Sequence, residues 1–204
     1  MAQKGRIYIA ILLIVFSSCE KEGESNPEPV VPDPGHPWVT HLIRSGQHQS
    51  DLSGFHSFAS DSLSFRLVFD SSAVYQTTDP QNQMDWNKVL GFADCGSFHH
   101  ENSLRLGWRY HPQKGVEIGA YIYVDQQRVM ESLGVVLIGD TLDVCLRALG
   151  NQYLIDVLGN TYVHSRSCSG PVQGYNLYPY FGGDETAPHD IRVHLQVRTS
   201  EWEY

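Results

Sequence analysis

The residues best suited to chemistry lie on two segments in which apolar and polar side chains alternate. Arg105 and Arg109 share one face of SLRLGWRY, and Glu117, Tyr121 and Tyr123 share one face of VEIGAYIYV. The connection YHPQKG would make the segments hairpin partners and bring these side chains into one patch. Arginine offers a planar fork of donors that fits a carboxylate, and tyrosine offers a flat face with a hydroxyl. The patch would suit an acidic sugar, although the same residues also form ordinary cross-strand pairs on a solvated sheet face.

Two adjacent histidines and a glutamate form a second polar cluster. On a strand, His99 and His100 would point to opposite faces and could not bind one metal, whereas on a loop beside Glu101 they could. The sequence contains neither HExxH nor CxxC, so it does not favour a zinc site.

His189 and His194, near the C-terminus, are candidates for an acid–base group beside a tyrosine of the patch, as a polysaccharide lyase would need. Nothing in the sequence places them together. GxSxG, P-loop and dinucleotide motifs do not occur. No catalytic residue is therefore assigned, and the sequence favours a protein without catalysis.

The segment GGDETAPHD contains three carboxylates, Asp184, Glu185 and Asp190. They could supply oxygens to a calcium ion, but their spacing differs from that of known calcium loops. Turns commonly use glycine and aspartate in this way, so we favour a turn and expect no cofactor.

Four cysteines divide into one near the N-terminus and three in the body of the chain. If Cys19 carries lipid, then Cys95, Cys145 and Cys168 would meet an oxidising compartment with one thiol left over. The sequence alone does not choose the pair, but the turn-like surroundings ADCGS and SRSCSG favour Cys95–Cys168.

Strands must position these residues, since no helical period appears after residue 40. Period-two alternation recurs in LSFRLVFD, SLRLGWRY, VEIGAYIYV, TLDVCLRAL and IRVHLQV. Turn signals separate these runs at intervals of about ten residues, which is typical of an antiparallel sandwich. We predict an all-β jelly-roll sandwich of about nine to eleven strands.

The first 37 residues predict where the protein is located in the cell rather than what it does. A ten-residue apolar run, 7–16, follows Lys4 and Arg6 and precedes Ser17, Ser18 and Cys19. The run has the length of a signal-peptide core and is shorter than the roughly 20 residues that span a bilayer. The pattern resembles the lipobox of bacterial lipoproteins, a resemblance that implies a lipoprotein signal peptide at 1–18 and lipidation of Cys19. We predict an acidic Pro-rich tether at 19–37 and one domain at 38–204. The resemblance also implies a location at the bacterial outer membrane, on the periplasmic or cell-surface side, with the lipid as the membrane contact.

The charge balance excludes one class of partner. The chain has 14 Lys and Arg against 23 Asp and Glu, a formal net charge of −9. Nucleic-acid binding needs clustered positive charge on the protein, so a nucleic-acid partner is not expected. The sequence does not determine the oligomeric state.

Two segments resemble a group of uncharacterised lipoproteins from Bacteroidota. They are HHENSLRLGWRYHPQKGVEIGAYIYVDQQR (99–128) and YPYFGGDETAPHDIRVHL (178–195), with the patterns NSxRxGWR and PYFGGxExAPHDI. The resemblance implies a concanavalin-like jelly roll but assigns no chemistry. Because one fold hosts many functions, it transfers no catalytic residue.

Three functions remain open at this point. The leading one is a lipid-anchored module that binds a polysaccharide or another envelope component without catalysis. The second is a jelly-roll polysaccharide lyase or glycoside hydrolase, which would need an acid–base pair in one cleft. The third is a structural or adhesin-like surface protein, which a large exposed apolar patch would favour.

Overall fold

The computed structural model describes residues 35–200 and 202, and two six-stranded antiparallel sheets dominate this part of the chain. Its strands are β1 (Val39–Ile43), β2 (Ser57–Phe58), β3 (Ser62–Phe69), β4 (Asn87–Ala93), β5 (Ser103–His111), β6 (Gly115–Val124), β7 (Gln127–Val136), β8 (Thr141–Leu149), β9 (Gln152–Val157), β10 (Asn160–Ser165), β11 (Gly174–Leu177) and β12 (Ile191–Val197). The first sheet has the order β1-β12-β3-β8-β9-β10, and the second has β2-β11-β4-β5-β6-β7. The all-β sandwich that the alternation predicts is confirmed. The described residues form twelve strands rather than nine to eleven, and β2 is only two residues long.

The predicted segments at the N-terminus lie largely outside the described residues. These are the signal peptide, Cys19 and the tether as far as residue 34. Within the described part of the chain, no helix has the length and apolar character needed to span a membrane.

The core forms where the inner faces of the two sheets meet. Strand β3 alternates partly buried and buried residues along its whole length, with Leu63, Phe65, Leu67 and Phe69 facing inward. Phe69 packs against Trp108 of the opposite sheet, with ring centres 4.9 Å apart. Burying each large apolar side chain contributes roughly 1.5–3 kcal/mol, so this period-two pattern selects the inward face of every strand.

The second sheet is buried on both faces at its centre. On the outer face of the β5–β6 hairpin, Gly107 and Gly119 are register partners and leave space for the Trp86 ring. A Cβ at Gly119 would overlap that ring, and the Arg109 guanidinium lies 4.2 Å from the ring centre. Trp86 therefore fills this part of the outer face beside the row that holds Arg105.

A buried ion pair anchors the turn after β4. The Asp94 carboxylate accepts hydrogen bonds from Arg166 Nε at 2.6 Å and from the Tyr153 hydroxyl at 2.9 Å. Neither side chain of the Asp94–Arg166 pair is exposed. Next to it, a disulfide joins Cys95 to Cys168. Together these links tie the β4–β5 turn to the segment between β10 and β11, while Cys145 stays outside the disulfide.

Candidate functional site

An open groove of about 460 Å³ lies on the outer face of the second sheet. It crosses the strands, because Lys88 of β4, Arg105 of β5, Tyr121 of β6 and Arg128 of β7 all line it. The turn 98–102 and the loop that follows β11 supply the remaining walls.

Arg105 lies at the centre of the groove and is only 7% exposed. Its Nη2 donates a hydrogen bond of 2.6 Å to the Tyr178 carbonyl oxygen, while its Nε has no hydrogen-bond partner among the described residues. Burial lowers the pKa of Arg105 to about 10, an effect that Tyr121 and Tyr178 partly oppose. The guanidinium therefore remains charged at neutral pH, with donor capacity left over in a poorly solvated place.

Two further cations flank Arg105. Lys88 Nζ lies 4.7 Å from the centre of the Tyr121 ring, and burial together with Arg105 and Arg128 lowers its pKa to about 8. Tyr121 and Tyr123 lie near Arg128 and raise the pKa of its guanidinium. Among the described residues, Asp184 is the one carboxylate that lines the groove with these three cations, and Asp85 acts on Lys88 from outside the lining. The groove therefore favours an anionic ligand.

The turn 98–102 adds two histidines to one wall. His99 Nδ1 lies 2.9 Å from the Tyr175 hydroxyl, and the His100 ring centre lies 5.4 Å from that of Tyr123. Burial, reinforced by His100 and Arg105, lowers the pKa of His99 to about 4, so its imidazole is neutral at pH 7. Both histidines lie on a turn, and so both can line one cavity.

The structure separates the five residues of the predicted patch into two groups. The β5–β6 register pairs Arg105 with Tyr121 and Arg109 with Glu117, as the hairpin interpretation requires. Arg105, Tyr121 and Tyr123 line the groove. Arg109 and Glu117 do not line it, and they form an ion pair of 2.8 Å with each other. The physical reason for the separation is Trp86, which covers the sheet between the two groups.

The hypothesis that His189 or His194 acts beside a groove tyrosine is wrong. His194 belongs to β12 in the other sheet, where its Nε2 lies 3.0 Å from Asp70 Oδ2 and its Nδ1 lies 2.9 Å from Thr40 Oγ1. His189 Nε2 lies 2.9 Å from the Ser72 carbonyl oxygen.

The three candidate calcium ligands occupy separate positions. Glu185 accepts hydrogen bonds from the backbone N–H groups of Thr78 and Asp79, each at 2.8 Å. Asp190 accepts one from the Ser45 N–H at 2.9 Å, and Asp184 lines the groove. Within the part of the chain that the structure describes, they do not gather into a cluster of metal ligands. These contacts agree with the loop interpretation of the segment.

The sequence patterns do not predict several of the residues that line the groove. Lys88 lies in NKVLGF, a mainly apolar run that predicts a buried strand. The positive charge of Lys88 within that run is the one sequence feature that indicates a binding role. Tyr178 and Tyr180 belong to the segment YPYFGG, in which no alternating pattern marks a binding face. No sequence pattern identifies Phe55 and Arg128 as groove residues. They line the groove because the strand order of the second sheet brings their segments beside it.

Comparisons with known proteins place the fold in a broad structural class. No family model matches the chain, and no curated protein matches it. Similar solved structures include the alginate lyase vAL-1 from Chlorella virus, at 14% identity over 83% of this chain and 86% of that chain, with a TM-score of 0.50. The alginate lyase AlyC3 has 11% identity, coverage of 79% and 74%, and a TM-score of 0.58. The catalytic domain of an endo-1,3-beta-glucanase (laminarinase) from Thermotoga petrophila has 11% identity, coverage of 78% and 76%, and a TM-score of 0.50.

At these identities the likeness shows the fold alone. The protein is an antiparallel jelly-roll β-sandwich. The likeness says nothing of the residues that line the groove, and it does not say what the groove binds.

Proposed function

We propose that this protein binds an acidic polysaccharide in the groove of its second sheet, with sugar carboxylates against Arg105 and Lys88. The observation that carries the proposal is the set of three cations, Arg105, Lys88 and Arg128, which line the groove together with a single carboxylate among the described residues. Charge-assisted hydrogen bonds from arginine to a carboxylate are among the strongest that proteins form, and low hydration strengthens them.

The local charge of the groove opposes that of the whole chain. A formal net charge of −9 repels anions at long range, whereas three cations and one carboxylate line the groove. A neutral sugar would leave most of the positive charge in the groove without a countercharge. The tyrosine faces of Tyr121 and Tyr123 suit the apolar face of a sugar ring, so the groove fits a sugar that is charged at one edge.

Calorimetric titration of the full chain with polyuronates and with a neutral glucan tests the proposal. We expect binding of the polyuronate, with Arg105→Met weakening it about ten- to a hundredfold because a charged hydrogen bond is lost. Arg147→Met is the matched control, since Arg147 pairs with Asp156 on the other sheet. Equal affinity for the neutral glucan, or unchanged affinity in Arg105→Met, would contradict the proposal.

One observation favours a second candidate, a polysaccharide lyase. His99 carries a neutral imidazole in the same groove as Tyr123 and Arg105, which is the state that can accept a proton. In β-elimination a base removes the C5 proton, the C5–H electrons form the C4–C5 double bond, and the C4–O bond breaks. The leaving oxygen takes up a proton, and Arg105 would stabilise charge on the carboxylate.

Absorbance of the unsaturated product during incubation with polyuronates tests the lyase candidate. We expect an increase for the wild type, its loss in His99→Gln and in Tyr123→Phe, and its retention in His189→Gln, since His189 contacts the Ser72 carbonyl and does not line the groove. Binding without any absorbance change would leave a binding module.

We also propose, on the sequence pattern alone, that Cys19 is lipidated and anchors the chain to the outer membrane of a bacterium. Mass spectrometry of the protein from native membranes should find an acyl-modified N-terminal Cys19. A mature chain that retains residues 1–18, or that lacks the acyl group on Cys19, would contradict the proposed membrane anchor.

A further inference from the structure

An exposed aromatic ring lies at the far end of the groove from Arg128. Phe55 lines the same cavity and leaves 56% of its surface exposed. It precedes β2, the edge strand of the second sheet, whereas Arg128 lies on β7, the opposite edge. The lining residues therefore range from the edge strand β7 to the segment that enters the other edge strand, β2.

Neighbouring rings hold Phe55 in place. Its ring centre lies 5.1 Å from that of Tyr175, 5.1 Å from that of Tyr178 and 6.2 Å from that of His99. The backbone next to it is tied to β11, because the His56 N–H donates to Asn176 Oδ1 at 2.6 Å and the Asn176 N–H donates to the His56 carbonyl oxygen at 2.9 Å. The exposed ring is thus a fixed surface with an apolar face directed to solvent.

Tyr178 contacts both this ring and the Arg105 guanidinium. Its carbonyl oxygen accepts the 2.6 Å hydrogen bond from Arg105 Nη2, and its ring centre lies 5.1 Å from that of Phe55. The backbones of β5 and β2 are about 14 Å apart, because β4 and β11 separate these strands and neighbouring strands lie about 4.8 Å apart. A ligand that contacts both Arg105 and Phe55 therefore extends past Tyr178, as a chain of sugars can.

We propose that Phe55 forms a stacking subsite for a further sugar of the same acidic chain, which runs across the strands from Arg105 towards β2. This subsite rests on the proposed function. Its occupant is the apolar face of a pyranose ring, since the neighbouring cations select an acidic glycan and Phe55 itself carries no polar atom to pair. The groove then recognises an oligosaccharide, because Arg105 binds a carboxylate of the chain and Phe55 stacks on the ring of another sugar.

Titration of the full chain with oligomannuronates of one, two, four and six sugars tests the subsite. We expect the wild type to gain affinity between two and four sugars, and Phe55→Leu to lose about five- to tenfold on the longer oligomers only, since an aromatic face is removed while apolar volume is kept. Phe55→Trp should keep the gain. The salt dependence of binding should be unchanged in Phe55→Leu and reduced in Arg105→Met, because only the arginine contact is ionic.

Phe98→Leu is the matched control. Phe98 is 74% exposed and lies one residue before His99, but it does not line the groove. Equal affinity of Phe55→Leu and the wild type for four and six sugars would overturn the subsite while leaving the proposed function standing, as would an equal loss in Phe98→Leu. Absence of binding to every oligomer by the wild type would overturn the proposed function, and the subsite with it.

Discussion

The Lys88 ammonium lies between two tyrosine rings, 4.7 Å from the centre of Tyr121 and 5.5 Å from that of Tyr180. These ring faces attract a cation, but they provide no full negative charge. Arg105 and Arg128 add repulsion, and Asp85 opposes it. Burial, with the two arginines, consequently lowers the pKa of Lys88 to about 8.

This arrangement predicts a pH-dependent affinity. A bound carboxylate would favour the charged form and raise the pKa of Lys88, so binding would take up a proton at pH values above about 8. We expect polyuronate affinity to be highest below pH 8 and to fall as the pH rises towards 10.5, the ordinary value of lysine. Calorimetry in buffers of different ionisation enthalpy measures the proton uptake directly.

Lys88→Arg is the informative variant for that prediction, since arginine stays charged to a higher pH than lysine. The pH dependence between 7 and 9 should disappear while binding persists, because Arg105, with its pKa lowered to about 10, also stays charged there. If the wild-type affinity is constant over the same range, Lys88 does not contact the ligand as a charge.

The buried pair of Asp94 and Arg166 predicts a large stability effect. Asp94→Asn would leave the Arg166 guanidinium buried with no countercharge, at a cost of about 3–5 kcal/mol in the free energy of unfolding. Asp143→Asn alters an ion pair with Arg198 in which the Asp143 side chain is 66% exposed, and it should cost less than about 1 kcal/mol. Urea denaturation of both variants makes the comparison, and equal small losses would contradict it.

The disulfide predicts a second difference in stability. Cys95 and Cys168 are separated by 73 residues, and closing a loop of that length stabilises a protein by about 2–5 kcal/mol. Replacing both with serine should lower the denaturation midpoint and abolish its sensitivity to reductant. Cys145→Ser, outside the bridge, should leave that sensitivity intact.

The glycine partners under Trp86 predict a steric effect. A Cβ at Gly119 would overlap the Trp86 ring and lie 2.7 Å from the Glu131 carbonyl oxygen, so Gly119→Ala should cost about 1–3 kcal/mol. Trp86→Ala removes one of these clashes, and the double variant should lose less stability than the two single losses combined. Additive losses in a double-mutant cycle would show that the ring and the glycine do not interact.

Period-two alternation was sufficient to predict the hairpin at the centre of the site. Since successive residues of a strand point to opposite faces, the sequence placed Arg105 with Arg109, and Tyr121 with Tyr123, on shared faces. The register confirms both placements. Alternation cannot show what covers a face, and so it did not separate Arg105 from Arg109, which lie on either side of Trp86.

Local periodicity is enough to predict the fold class, the inward face of the main strands, and the shared faces of Arg105 with Arg109 and of Tyr121 with Tyr123. Which of these residues share a cavity depends on the tertiary structure. Lys88, Phe55 and Tyr178 are distant from Arg105 along the chain and reach it because β2, β11 and β4 precede β5 in the sheet. That order results from long-range strand pairing and the packing of the two sheets, which no local pattern of residue types specifies.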